Sequence, residues 1–365
     1  MDEHIPNLVA VSPSVNFTSS KPYREGKLIF QDKASCFPAY LLNPASDDGD
    51  VIDACAAPGN KTTHLAAILK ERKGEDAKVI ACEKDAFRSK TLQKMTKLAD
   101  PEGIIEVKPE QNFLKLNPTS KQLADVTGLV LDPSCSGSGI VGRDEGGITV
   151  HLPSINVPEP PSKNSRKRKR NDKATKEAPV SENDETNDVQ EEQPEEAPRD
   201  SLELAKRLVA LSDFQLRLLQ HAMSFSSARR ITYSTCSIHG EENEGVVVRA
   251  LLSDVAKEAG WRVMKRDEQV DGMRRWHRRG DVSAVEAALQ SNGPVSGFDN
   301  DEVAAACIRC DKSTEDGTMG FFVAGFVRDE SAERPALDRE AGQSNGNHAQ
   351  DDSDEDEEEW GGFSD

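Results

Sequence analysis

Val51-Ile52-Asp53-Ala54-Cys55-Ala56-Ala57-Pro58-Gly59-Asn60-Lys61-Thr62 decides the fold of this chain. A short apolar run ends in a turn of small residues at Pro58-Gly59, and Lys61–Arg72 then places Leu65, Ile68 and Leu69 on one helical face. The unit is strand, turn, helix. It recurs with Val79–Cys82, a strand ending at Glu83, followed by the helix Ala86–Leu98. Ile104–Val107 reads as a third strand, and Leu129-Val130-Leu131 as a fourth that runs into Asp132. Leu202–Phe225 carries Leu204, Leu208, Leu211, Leu218 and Leu219 at near-helical spacing, so it is expected to pack on the sheet. Arg230–Tyr233, a helix over Glu241–Val255 and a late strand at Gly320–Val327 complete the folded part. Strands alternating with helices of this length predict an α/β fold, a mostly parallel sheet with helices on both faces.

The 365 residues suffice for one large or two ordinary domains with a self-sufficient core. Seven cysteines without regular spacing, and no apolar leader behind Met1, fit a reducing compartment rather than a disulfide scaffold. No run of about 18 apolar residues occurs, so no membrane span or membrane partner is expected. The net charge of −19 is unevenly spread. Residues 163–176 hold eight basic side chains against one acidic, 177–200 one against ten, and 329–365 two against fourteen. Outside these stretches 35 basic residues face 40 acidic ones, a balance that neither demands nor forbids a nucleic-acid site. Residues 154–200 have almost nothing to bury and are expected to be a disordered insert, as is the acidic tail 329–365. Arg166–Arg170 within the insert reads as a nuclear import signal or a solvated loop.

Ligands of open α/β sheets sit at the carboxyl ends of the strands, near free backbone N–H groups. The loop after the first strand has only Gly59, so it fails the G-x-G-x-x-G pattern, and Asn60 separates Gly59 from Lys61, so it fails the P-loop. Glu83 is placed to accept hydrogen bonds from a ribose diol, or else to cap the following helix. An adenosine-bearing cofactor without a pyrophosphate meets these observations, and S-adenosylmethionine is one. Strand four ends in Asp132-Pro133-Ser134-Cys135-Ser136-Gly137-Ser138-Gly139, and strand five in Tyr233-Ser234-Thr235-Cys236-Ser237. Two cysteines at neighbouring strand ends are thus expected to face one cleft. Singly, each would more often be a small buried hydrophobe.

A thiol in such a place suits one reaction in particular. Carbon-5 of cytosine is a poor nucleophile until a thiolate adds to carbon-6, which makes carbon-5 enamine-like and able to attack a sulfonium methyl. A donor to ring nitrogen-3, or an acceptor for the exocyclic amine, would hold the base, a role open to a protonated Asp132. Methyl transfer to an exocyclic nitrogen would instead use an aromatic residue after the proline, where Ser134 and Cys135 stand.

Asp53–Thr62, Asp132–Gly139 and Tyr233–Val248 resemble the cofactor-loop, Pro-Cys and Thr-Cys motifs of the Sun/Nop (Fmu-like) family of RNA cytosine-5 methyltransferases. Gln31-Asp32-Lys33-Ala34-Ser35 is similar to the family's opening motif, and His221-Ala222 lies on its long helix. Pro133-Ser134-Cys135, with Ser where relatives usually have a second Pro, resembles the branch acting on large-subunit ribosomal RNA. The resemblance covers most of 22–328 apart from 143–200. It implies a class I, Rossmann-like methyltransferase domain over 31–328, behind a short segment 1–30. Relatives usually carry a further RNA-positioning region ahead of the Gln-Asp motif.

By the same likeness Cys236 is the nucleophile and Cys135 the second thiol, which helps the methylated product leave. Cys55, Ala56, Ala57, Pro58, Gly59, Asn60 and Lys61 form the S-adenosylmethionine loop, with Glu83 on the ribose and Arg88 and Asp132 completing the pocket. RNA, ribosomal by the branch likeness, is the implied partner, and the nucleus or nucleolus the implied location. A ribosome-assembly factor without turnover, or the same chemistry on transfer RNA, are the competing readings. Cys307-Ile308-Arg309-Cys310 has half the spacing of a zinc site, but no second pair follows, so no metal is expected. Trp276 and His277, with Arg274, Arg275, Arg278 and Arg279, read as an RNA-stacking cluster or a surface loop.

Overall fold

A strand covered by helices on both faces needs apolar side chains at nearly every position, and the central strands here meet that demand. The computed structural model describes residues 1–11, 16–45, 48–73, 77–100, 103–140, 199–292, 298–312 and 314–328. The helices α1 (Lys21–Arg24) and α2 (Lys33–Leu42) precede β1 (Asp50–Asp53), α3 (Asn60–Lys73), β2 (Val79–Glu83), α4 (Ala86–Ala99), β3 (Ile105–Pro109) and β4 (Val126–Leu131). Then come α5 (Arg199–Met223), β5 (Arg230–Thr235), α6 (Glu244–Leu252), α7 (Asp254–Glu258), β6 (Trp261–Val263), α8 (Asp271–Arg275), α9 (Val282–Asn292), α10 (Asn300–Ala306), β7 (Ile308–Cys310) and β8 (Phe321–Arg328). The expected insert up to residue 198 and the tail 329–365 lie outside the described residues.

The sheet runs β3-β2-β1-β4-β5-β8-β6, with β7 also on β8. The first five strands are parallel, and β8 joins antiparallel to β5. Alternate residues point to opposite faces. Ile52, Leu129, Leu131, Ile231 and Tyr233 meet Leu218 and Leu219 of α5 and Val246–Val248 of α6 on one face. Val51, Val79 and Val130 meet Leu42 of α2 and Leu65 and Leu69 of α3 on the other. Because β1 continues to β2 on one side and neighbours β4 on the other, strand order reverses between β1 and β4. That reversal opens a crevice at their carboxyl ends.

The expected α/β sheet is present, with three differences. Leu204 is exposed, because the amino-terminal part of α5 runs past the sheet, while Leu208, Leu211, Leu218 and Leu219 are buried as expected. The single helix expected over Glu241–Val255 is two, because Ser253 takes an extended conformation and caps α7 through the N–H of Ala256. The strands β6 and β7 escaped notice because three residues give too little alternation to read.

Two glycines decide local geometry at the crevice. Gly59 has φ +117°, and a Cβ there would press on Met95 and Leu92 of α4 at 3.1 and 3.3 Å. Gly139 donates its N–H to Cys236 O and accepts from Gly320 N–H, both at 2.9 Å, so it straps the Pro-Cys loop to the ends of β5 and β8. A Cβ on Gly139 would lie 2.2 Å from Gly320 O. Gly139→Ala should therefore cost about 1–3 kcal/mol through overpacking against backbone. A thermal melt indistinguishable from that of the parent chain would contradict this.

Candidate active site

The parallel pairing of β4 with β5, Leu131 beside Tyr233, delivers the loops after both strands to one place. Cys135 and Cys236, 101 residues apart in sequence, have their sulfurs 3.0 Å apart and form no disulfide. Lys61, from the first turn of α3, reaches across the crevice to Asp132 Oδ2 at 2.6 Å and to Ser35 Oγ at 3.1 Å, and it lies over the Phe321 ring. Ser234 Oγ donates to Asp132 Oδ1 at 2.7 Å. Gln31 Nε2 donates to Ser35 O at 2.8 Å and Asp32 caps α2, so the opening motif abuts the same cluster.

The thiols differ in character. Cys36 and Cys82 are each pushed up to about 12 by burial, and Cys55, Cys307 and Cys310 are raised further still by burial. Cys135 is raised by its hydrogen bond to Cys236, then by burial and by the charges of Cys236 and Glu242. Cys236 alone of the seven moves down. Its hydrogen bond with Cys135 favours the thiolate most, and Lys61 adds to this against the opposing effects of burial and Asp132. The Lys61 ammonium is opposed by burial, but Asp132 outweighs that and raises it.

The loop between β1 and α3 is held from within and without. Thr62 Oγ1 donates to Asp53 Oδ2 at 2.7 Å, and burial pushes the Asp53 carboxyl up to about 6. Glu83, buried at the end of β2, accepts from Ala57 N–H at 3.3 Å and from Asp85 N–H at 3.0 Å, while Arg88 Nη2 donates to Ala57 O at 2.8 Å. Asp85, not Glu83, caps α4. Asp53 Oδ1 and Asn60 Oδ1 are buried acceptors with no donor. Unmet acceptors beside a helix N-terminus, with Gly59 keeping the backbone bare, fit a ligand that brings its own ammonium and hydroxyl donors. Cys55, Ala56, Ala57, Pro58, Gly59, Asn60, Lys61, Glu83, Arg88 and Asp132 thus gather round one crevice, with Cys135 and Cys236 at its β4–β5 side.

Other sequence candidates are placed elsewhere. Trp276 is fully buried against Phe37 and His4, with its Nε1–H on Arg309 O, so it cannot stack on a base. Arg274 and Arg275 pair with Asp271, Arg278 with Asp311 and Asp316, and Arg279 holds carbonyls of Met273 and Ala305. The RNA-stacking reading is therefore corrected: an aromatic ring amid arginines was needed to fill the core under α2. Cys307 and Cys310 are buried in the core. His221 packs edge-on against Phe113 and Phe225. A cavity of about 620 Å³ opens beside Arg229, Arg230, Arg262 and Arg328, near the start of β5 and away from the thiols. Its arginines are engaged, Arg262 with Glu268, and Arg328 with carbonyls of Met223, Phe225 and Ser226.

Residues 39–151 match the family model described as 16S rRNA methyltransferase RsmB/F. Over 328 residues the chain is 35% identical to a Schizosaccharomyces pombe protein named 25S rRNA (cytosine-C(5))-methyltransferase rcm1, covering 89% of this chain and 55% of that one. The chain is thus similar over most of its length to proteins of the RsmB/F (Sun/Nop) family. A Mus musculus member named 28S rRNA (cytosine-C(5))-methyltransferase is 32% identical over 342 residues, 93% of this chain and 55% of its own length. The chain thus spans about half the length of these curated relatives. The crystal structure of a methyltransferase homolog from Pyrococcus horikoshii superposes with a TM-score of 0.52 at 17% identity, covering 86% of this chain and 72% of that one. It shares the fold, Rossmann-like as the motifs implied.

Sequence reading missed the pair that braces the site from behind. Arg309 Nε donates to Glu244 Oε1 at 2.7 Å and its Nη2 to Glu244 Oε2 at 2.5 Å, while its Nη1 holds Ile238 O at 3.1 Å. The signal available was an arginine between two apolar cysteines. Glu244 is fully buried, so Arg309→Ala, which strands its charge, should cost about 3–5 kcal/mol. Urea denaturation would check this, and an unshifted midpoint would deny the pair its bracing role.

Proposed function

We propose that this chain transfers a methyl group from S-adenosylmethionine to carbon-5 of a cytosine in large-subunit ribosomal RNA. The observation that carries the reading is that the Cys135 and Cys236 sulfurs meet 3.0 Å apart at the ends of β4 and β5, where Lys61 of the 55–61 loop pairs with Asp132 at 2.6 Å. Relatives bearing large-subunit names support the choice of RNA. Those names, together with Arg166–Arg170, which lies outside the described residues, support nuclear or nucleolar action.

Bound S-adenosylmethionine supplies the electrophilic methyl. Glu83, Arg88 and the 55–61 loop hold the donor. The Cys236 thiolate adds to ring carbon-6 and breaks the 5,6 double bond, which turns carbon-5 into the nucleophile. Asp132, ion-paired with Lys61, accepts from the exocyclic amine of the base rather than donating to ring nitrogen-3, and Lys61 supplies the donor on the same side. After methylation a water molecule takes the carbon-5 proton, the C–H electron pair re-forms the 5,6 double bond, and the Cys236 sulfur leaves as a thiolate that Cys135, 3.0 Å away, can stabilise by hydrogen bonding.

Cys236→Ala should abolish labelling of RNA by the methyl donor while donor binding persists, and full activity would reject the assignment. Cys135→Ala should accumulate an RNA–protein adduct on denaturing gels. Free turnover without adduct would remove its release role. Because Cys236 lies below the usual thiol range, single-turnover methylation should stay high down to a lower pH than an ordinary thiol allows, and should fall as Cys236 gains its proton. Bisulfite sequencing of total RNA with and without the gene identifies the target. Loss confined to transfer RNA would favour that substrate, and donor binding with no RNA product would favour an assembly factor.

A further inference from the structure

The Pro-Cys loop is gripped on both sides of Cys135 by a buried pair, Gln215 and Glu242, to which the proposed chemistry gives no role. Gln215 Nε2, from α5, donates to Ser134 O at 3.0 Å, and Ser136 N–H donates to Glu242 Oε1 at 2.9 Å. The two grips are joined, since Gln215 Nε2 also donates to Glu242 Oε1 at 2.9 Å and Tyr233 OH donates to Gln215 Oε1 at 3.1 Å. Gln215, Glu242 and Tyr233 are all fully buried. Glu242 Oε2 is enclosed and has no partner among the described residues, and the bonds on Oε1 come from an amide side chain and a backbone N–H, neither of them a cation. A buried carboxyl held this way is costly to fold around, and a purely structural clamp could use Gln in its place.

We propose that Glu242 is a positioning residue for Cys135: it fixes the loop bearing this thiol and, by its charge, assigns the shared proton of the thiol pair to Cys135, leaving Cys236 as the nucleophile. The inference rests on the methyltransferase reading for its meaning, but its test does not involve RNA. The geometry requires a choice, because two sulfurs 3.0 Å apart cannot both carry a charge without mutual repulsion. The groups facing the pair are unequal. Lys61 from α3 and Asp132 after β4 act on Cys236, whereas Glu242 after β5 and Tyr233 on β5 lie on the side of Cys135. At Cys236 the Asp132 carboxylate is opposed by the Lys61 ammonium, whereas Glu242 acts against charge on Cys135.

Iodoacetamide alkylation of Cys135, read by peptide mass spectrometry from about pH 6 to 10, reports its thiolate fraction. Cys236→Ser isolates Cys135 for this measurement. Adding Glu242→Gln keeps the acceptor for Ser136 and removes the charge. The Cys135 profile should then move down by about one pH unit, a tenfold rise in alkylation rate on the acid side. Adding Gln215→Ala instead removes the clamp partner and keeps the charge, and should leave the midpoint in place. Unchanged profiles in Glu242→Gln, or equal shifts in both variants, would overturn the proposal. If Glu242→Gln fails to melt cooperatively, Glu242→Asp, which withdraws the charge by one methylene, should shift the profile in the same direction, and no shift would overturn it. Wild-type enzyme unable to methylate RNA would sink the functional reading and leave this result standing.

Discussion

A hydrogen bond between two sulfurs, those of Cys135 and Cys236, is the contact that the surrounding loops hold in place. Thiols are weak donors and weak acceptors, so the bond cannot position its own partners. The backbone does so instead. Parallel pairing of β4 with β5 brings the two loops to one edge, and Gly139 ties one loop to the other through Cys236 O. Only a residue without a side chain allows that approach.

Polar groups behind the loops then remove the remaining freedom. Ser136, Ser138 and Ser237 hydroxyls lie within 3.1 to 3.5 Å of one another, Thr235 Oγ1 donates to Asn243 Oδ1 at 2.6 Å, and Asn243 Nδ2 returns to Ser237 O. Small polar side chains pack as tightly as apolar ones there and leave no slack. The run Glu242-Asn243-Glu244 faces three ways: Glu242 to the Cys135 loop, Asn243 to the Cys236 loop, and Glu244 to Arg309. Each member braces a different wall of one crevice.

The electrostatics are divided along the same line. On the donor side a buried ammonium, Lys61, is neutralised by Asp132 yet near enough to Cys236 to favour its thiolate. Burial penalises the charged form of Cys36, Cys82, Cys307 and Cys310. Cys236 is the thiol moved down, by its hydrogen bond with Cys135 and by Lys61, while Cys36, Cys82, Cys307 and Cys310 are buried as packing atoms.

The alternation of strand and helix, the loops at the carboxyl ends and the family likeness were legible from residue order, because periodicity and turn chemistry are local properties. So was the meeting of Cys135 and Cys236, since parallel topology brings neighbouring strand ends together, whereas Lys61 and Asp132 came from the family likeness. Trp276 was misread because a basic, aromatic stretch looks alike on a surface or under a helix, and only packing against Phe37 distinguishes the two. Gln215 and Glu242 gave no pattern, being polar residues 27 apart whose partnership needs α5 laid against β5. Sequence by itself therefore determined which chemical groups the protein owns and at which end of its sheet they gather. Tertiary structure alone decided how close the two sulfurs come and which charged groups stand beside each, because those distances depend on packing that no local rule sets.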